Sequence, residues 1–147
     1  METIVVESQE ATVSAETKPK KKLTSFRELG AWQEAHALAK SVFSTTSAWS
    51  GEHAFSLGNP MRRAALSVTS RLAEGFGKFV ARDKVRDYSD ARASLAELHN
   101  QLILSTDVGA LDEGTYDRVM PQLTKVDRIL GGLIAKTKTF GEAKAAA

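Results

Sequence analysis

The side chains best suited to chemistry in this sequence are cations between residues 60 and 100. This stretch has eight lysines and arginines against five carboxylates, while the formal charge of the whole chain is only +2. Locally dense positive charge attracts phosphate groups and releases their counterions, so it favours a nucleic-acid interface. Ion pairs within one chain or between subunits explain the same charges equally well. The candidate nucleic-acid-binding residues are Arg62, Arg63, Arg71, Lys78, Arg82 and Lys84.

A second polar pattern lies within the same stretch. Arg63, Ser67, Ser70 and Glu74 follow one another at steps of four, three and four. On a helix this spacing places them along one line, opposite an apolar stripe. A solvated helix face is one interpretation of that line. A contact surface for another subunit or a ligand is the other.

Patterns typical of catalysis or metal binding are missing from the sequence. There is no cysteine among the 147 residues, which excludes disulfides, thiol nucleophiles and cysteine-bound zinc. His36, His53 and His99 are isolated and lack the partner spacing of a metal-binding helix. Gly75 and Gly77 follow a helical pattern rather than a strand, so they predict a helix end and not a phosphate-binding loop. We therefore expect no enzyme, no cofactor and no metal ion.

Four amphipathic helices must position these residues. Apolar side chains recur at helical spacing in four segments, and no segment alternates like a strand. Segments joined by short connections bury their stripes most simply as an all-α, antiparallel up-and-down four-helix bundle. The predicted helices cover about residues 27–47, 60–77, 82–108 and 113–138.

Local signals set the expected helix ends. Asn59 and Pro60 are suited to the N-cap and first position of the second helix. Gly109 suits the end of the third helix, and Asp112 suits the N-cap of the fourth. Pro121 lies inside the fourth pattern, where its missing N–H predicts a kink or a short break.

The ends of the chain differ in composition from this central part. Residues 1–24 are predicted to be a disordered tail, residues 25–140 the bundle, and residues 141–147 a loose C-terminal tail. A lysine-rich run at residues 18–22 is explained by a solvated linker, a phosphate contact or an import signal. No apolar run approaches the roughly 20 residues of a membrane span, and no signal peptide is recognisable. These features predict a cytoplasmic protein without a membrane partner.

Several motifs together resemble a known family. They include Trp32-Gln33 in the first helix, Arg62-Arg63-Ala64-Ala65 and Leu72-Ala73-Glu74-Gly75 in the second, and a run over residues 91–98 in the third. The sequence resembles the four-helix-bundle proteins encoded in intervening sequences of bacterial large ribosomal RNA genes. That family is similar to the accessory variability protein of diversity-generating retroelements. The resemblance spans residues 26–138, with departures at Pro60, Arg71 and Ala93.

The resemblance implies a homo-oligomer, which in known relatives is a pentamer around a central channel. Glu74 and Glu97 are then expected to pair with Arg63 or Arg92 across neighbouring helices. Such a pair fixes helix register more than it stabilises the fold. The candidate structural or oligomer-contact residues are Arg63, Ser67, Glu74, Ser94 and Glu97.

Two functions remain open at this point. The first is a non-enzymatic oligomeric bundle that serves as a nucleic-acid-associated accessory or scaffold, with structured RNA, DNA or a reverse transcriptase as partner. The alternative is a protein–protein interaction scaffold that binds no nucleic acid. Aromatic residues make up only 7% of the chain, so any nucleic-acid binding is expected to be electrostatic rather than base-specific.

Overall fold

Four long helices form the part of the chain that the structure describes. The computed structural model describes residues 22–146, and this range contains helices and turns but no strand. A 3₁₀ turn at Phe26–Glu28 precedes the first helix. Residues 1–21, which include most of the predicted disordered tail, lie outside the described residues. The helices are α1 (Gly30–Thr46), α2 (Asn59–Phe76), α3 (Ala81–Asp107) and α4 (Glu113–Ala146).

Each helix packs mainly against its neighbours in the chain, and α4 returns to pack against α1. Contacts between α2 and α3 show the direction: Met61 meets Ser105, whereas Gly75 near the end of α2 meets Tyr88 near the start of α3. Because one set of residue numbers rises as the other falls, the two helices are antiparallel. The predicted antiparallel up-and-down four-helix bundle is confirmed.

The bundle has one apolar core. The stripe predicted for α3 is fully buried, from Tyr88 to Leu102. On α1, helical spacing with Trp32, Ala35, Ala39 and Val42 predicts that Phe43 faces the core, whereas Phe43 is 41% exposed and Leu38 is buried. The largest fully buried side chains are Leu38, Met61, Leu72, Leu95, Leu98, Leu102 and Leu130.

The start of α2 differs from the sequence-based prediction. The predicted loop contains an α turn at Gly51–His53 and a π turn at Ala54–Gly58, which lead directly into α2. Asn59 therefore has helical backbone angles and is not an N-cap. Pro60 lacks the N–H that an α-helix would use here, and the wider π turn just before it accommodates the proline. The segment before α2, which the sequence predicts to be a loop, is therefore helical from Gly51 to Gly58.

In the connection between α3 and α4, Gly109 and Asp112 have the roles that the sequence predicts for them. Gly109 has φ +80 and its N–H bonds to the carbonyl of Thr106, while the N–H of Ala110 bonds to the carbonyl of Ser105. These two bonds form a Schellman motif that ends α3. Asp112 then accepts a hydrogen bond from the Thr115 amide at 2.9 Å, which caps the start of α4.

The fourth helix is longer and more regular than the sequence predicts. It continues through Pro121 without a break, and it runs to Ala146 instead of ending near residue 138. The carbonyl that Pro121 leaves unpaired belongs to Asp117, an exposed residue, so water can satisfy it. A Cβ on Gly141 would lie 2.7 Å from the Ala81 Cβ, so α4 still packs against α3 at this point. Residues 141–146 are therefore helical rather than a loose tail.

Candidate nucleic-acid and assembly surfaces

The first candidate cation, Arg62, is engaged within the chain. Its Nε donates to Thr46 Oγ1 at 2.7 Å, and a terminal nitrogen donates to the Phe43 carbonyl at 3.3 Å. The guanidinium carbon also lies 5.0 Å from the centre of the Phe43 ring. This cation–π contact covers the partly exposed ring. Arg62 thus joins α2 to the end of α1, and these contacts hold its guanidinium against the fold.

Lys84 has a comparable role at the other end of α2. Its ammonium donates to the Phe76 carbonyl at 2.7 Å and to the Gly75 carbonyl at 3.3 Å. The Gly75 carbonyl also accepts a hydrogen bond from the Lys78 N–H at 3.2 Å. Because the last carbonyls of a helix lack an N–H partner within it, the lysine helps to cap the C-terminus of α2. Burial lowers the pKa of Lys84, because an apolar environment disfavours the charged amine.

Lys78 and Arg71 have acidic neighbours. The Lys78 ammonium lies 3.8 Å from Asp87 Oδ2, on a largely buried carboxylate. Arg71 lies 3.4 Å from Glu74, one turn later on the same helix, and both side chains are well exposed. Exposed pairs of this kind are weak and are screened by salt. Arg71 therefore stays available to another partner, while Lys78 is partly neutralised.

Arg63 and Arg82 remain as exposed cations. Both side chains are exposed, and neither forms an ion pair with a residue in the described part of the chain. Their helices hold them outward, since each lies opposite the buried stripe of α2 or α3. Of the six predicted nucleic-acid-binding residues, these two are the ones that the fold itself does not use.

Two predicted contact residues meet each other inside the chain. The hydroxyls of Ser67 on α2 and Ser94 on α3 lie 2.8 Å apart and share a hydrogen bond. Both side chains are half-buried. This bond fixes the register of α2 against α3, and it accounts for a polar residue at each position without a second subunit.

The glutamates Glu74 and Glu97 do not form the predicted pairs with Arg63 or Arg92 within residues 22–146. Arg92 does not pair with Glu97; it donates to Asp127 on α4 at 2.9 Å. That hydrogen bond, together with the charge of Asp127, raises the pKa of Arg92. Glu97 is exposed and makes no ion pair within residues 22–146. Within residues 22–146, two ion pairs join long helices: Arg92 on α3 with Asp127 on α4, and Lys125 on α4 with Glu34 on α1 at 3.1 Å.

Gly75 is a packing residue and not the end of a helix. It is buried inside α2, and a Cβ there would lie 2.7 Å from Tyr88 Cε1 and 3.0 Å from the Asp87 Cβ. The helix ends at Phe76, and the N–H of the following Gly77 bonds to carbonyls of the last turn. The missing side chain lets α2 and α3 approach closely. Burial, and then the charge of Asp87, raise the pKa of the Tyr88 hydroxyl.

Sequence reasoning misses the aromatic residues at one end of the bundle. Phe79, in the connection between α2 and α3, is 98% exposed, and Phe140 near the end of α4 is 66% exposed. Neither belongs to an apolar stripe. The one available signal is the position of Phe79 between Lys78 and Arg82, because an apolar residue flanked by cations is unusual in a simple turn.

Within residues 22–146, no group of three or more histidine, aspartate or glutamate side chains is placed to hold a metal ion. The described helices also include none that is both long and apolar enough to cross a membrane.

Comparison with known proteins identifies the family. The family described as 23S rRNA-intervening sequence protein matches residues 27–132. The match starts in the turn before α1 and ends within α4, so it covers all of α2 and α3. No curated protein matches the chain. Because the family match includes more than half of the 147 residues, the chain belongs to the 23S rRNA-intervening sequence protein family.

Proposed function

We propose that this chain is a non-enzymatic homo-oligomer that serves as an accessory or scaffold protein on nucleic acid. Its partner is structured RNA, DNA or a reverse transcriptase. One observation carries the proposal. Of the residues in the family-like motifs, Arg62, Gly75 and Ser94 have contacts inside the fold, whereas Arg63 and Glu97 are exposed and form no ion pair in residues 22–146.

The exposed residues favour assembly because apolar side chains accompany them. Leu66, one turn after Arg63, is 56% exposed, and Leu104, two turns after Glu97, is 49% exposed. Leu66 and Leu104 add exposed apolar surface to the two helices that carry Arg63 and Glu97, and this supports a contact with another subunit. A heterologous contact repeated by rotation closes a ring, and the family resemblance supports five subunits.

Association with nucleic acid is supported by charge. Arg63, Arg82 and Arg86 are exposed and have no carboxylate partner within residues 22–146. A ring repeats each of these cations once per subunit, so a modest charge on one chain becomes a dense positive surface. Dense cations bind the phosphate backbone with strong salt dependence and little regard for sequence.

Salt-dependent binding tests this function. The full chain is titrated with RNA and DNA of two unrelated sequences at several salt concentrations. We expect binding at low salt, similar affinities for the two sequences, and a slope that decreases by about 0.7–0.9 for each phosphate contact removed. Arg82→Gln should reduce the slope without lowering the melting temperature, since Arg82 is exposed and is not one of the residues assigned to the subunit contact.

The alternative function is a protein–protein interaction scaffold that binds no nucleic acid, and the same titration distinguishes it. The exposed leucines Leu66 and Leu104 fit a protein partner as well as a second copy of the chain. If the full chain forms an oligomer yet binds neither RNA nor DNA at low salt, the nucleic-acid role is excluded. The oligomer is then a platform for docking another protein.

A further inference from the structure

The fold brings two basic segments together that are far apart in the sequence. Gly141 of α4 packs directly against Ala81 at the start of α3. Residues 77–86 and 136–146 therefore form one end of the bundle, which we call the basic end. It has six exposed cations and only two carboxylates, Asp83 and Glu142. The exposed cations are Lys78, Arg82, Arg86, Lys136, Lys138 and Lys144.

This local charge is larger than the charge of the chain. The buried Asp87, which lies 3.8 Å from Lys78, offsets one of the six cations. The remaining excess still exceeds the formal +2 of all 147 residues, so the rest of the protein is close to neutral or negative. A polyanion approaching the molecule is therefore attracted to this end in particular.

Phe79 lies in the connection that forms part of the basic end. It is 98% exposed, and its neighbours along the chain include Lys78 and Arg82. Since α4 runs antiparallel to α3 and meets it at Ala81, the last residues of α4 lie at the same end of the bundle as the connection that holds Phe79. An exposed phenyl ring at an end of the bundle that also holds exposed cations matches the usual site for single-stranded nucleic acid, in which bases stack on aromatic rings and cations hold phosphates.

We propose that the basic end binds single-stranded nucleic acid, with an unpaired base stacked on Phe79 and phosphates held by Arg82, Lys138 and Lys144. The inference rests on the proposed nucleic-acid function and specifies the ligand and the site. Bases in a duplex are already paired and stacked, so they cannot cover the ring. The basic end therefore distinguishes single strands from duplexes, although aromatic residues are scarce in the chain as a whole.

Two other occupants fit this end less well. A second copy placed symmetrically would bring two positively charged ends together, and like charges repel. A lipid surface requires an apolar face large enough to enter the membrane boundary. The basic end offers only Phe79, Val80 and Phe140 as exposed large apolar residues in residues 77–86 and 136–146, which is too small an area for stable anchoring.

Phe79→Ala in the full chain tests the site directly. The probe is a single-stranded oligouridylate, and a blunt RNA duplex of equal length is the comparison. We expect Phe79→Ala to weaken binding of the single strand roughly 5- to 140-fold, which corresponds to about 1–3 kcal/mol for one stacked base. Binding of the duplex should be unchanged. Phe79→Trp should retain the binding of the natural chain.

Phe55→Ala is the matched control, since Phe55 is 79% exposed and lies at the opposite end of the bundle. Both alanine variants should keep the melting temperature of the natural chain. Lys138→Gln with Lys144→Gln should reduce the salt slope for the single strand by roughly 0.7 per lost contact.

Equal weakening by Phe79→Ala and Phe55→Ala, or no weakening by either, would overturn the inference while leaving nucleic-acid binding itself intact. Absence of binding by the natural chain would overturn the proposed function as well. Retention on vesicles of anionic phospholipid that depends on Phe79 would assign the basic end to a lipid surface and reject the inference.

Discussion

Gly75→Ala should destabilise the protein, although the same change usually stabilises a helix. The new Cβ would lie 2.7 Å from Tyr88 Cε1 and 2.9 Å from Tyr88 Cδ1. Carbon atoms in good contact are about 3.5–4.0 Å apart, so the ring must withdraw by roughly 1 Å. Tyr88 is only 2% exposed, and a closely packed interior leaves no space for that shift.

The magnitude follows from two opposing effects. Overpacking a core costs about 1–3 kcal/mol, whereas alanine is favoured over glycine inside a helix by up to about 1 kcal/mol. Gly75 lies in the last turn of α2, where the helix preference counts for less. We therefore expect the free energy of unfolding to fall by about 1–2 kcal/mol, and the melting temperature by roughly 2–8 °C.

Gly132→Ala is the matched control for this change. Gly132 lies inside α4, and a Cβ there has nothing within 4 Å. Its replacement should raise the free energy of unfolding by about 0.5–1 kcal/mol. Both variants are compared by urea unfolding and by circular dichroism at one protein concentration, because assembly contributes to stability. If Gly75→Ala is as stable as Gly132→Ala, the account of close packing between α2 and α3 is refuted.

Four further variants separate contacts within the fold from contacts at the surface. Arg62→Gln should lower the free energy of unfolding by about 1–3 kcal/mol, since it removes charged hydrogen bonds, while Arg82→Gln should leave thermal melting unchanged; equal melting of the two variants would contradict this division. Hydrogen bonds from Thr115 hold the pKa of Asp112 below its ordinary value of 3.8, so the capping contribution is complete above that pH and is lost as the pH falls through the lowered pKa. The difference in urea midpoint between the natural chain and Asp112→Ala should therefore narrow in acid, and a difference that stays constant would argue against the cap. Glu97→Ala should reduce the mass of the oligomer in light scattering with no change in helix content; an unchanged mass would make Glu97 an ordinary surface charge.

The helices themselves were largely predictable because their signals are local. Gly109 ends α3 with a positive φ, and Asp112 caps α4 through its own side chain. Each of these depends on residues within one turn. The start of α2 was not predictable in this way. Asn59 and Pro60 are typical of a helix start, and only the preceding π turn makes them part of a longer helical segment.

The surfaces were less predictable because contacts between helices decide which charges are free. The sequence groups Arg62 with Arg63, yet the contacts with Thr46 and Phe43 engage only Arg62. The sequence alone predicts that Gly75 ends a helix, whereas its close packing against Tyr88 is visible only in the structure. The basic end depends on the packing of α4 against α3, which joins segments about 60 residues apart. No local pattern contains that information.

The central claim is that the chain acts as an oligomer on nucleic acid, and the mass in solution tests it most directly. Light scattering on a gel-filtration column, at moderate salt, measures the full chain alone and then with a single-stranded RNA. We predict a mass near 80 kDa for the chain alone, which is five times 15.9 kDa, and a heavier peak that carries the RNA. A peak near 15.9 kDa that leaves the RNA unbound would contradict both parts of the claim.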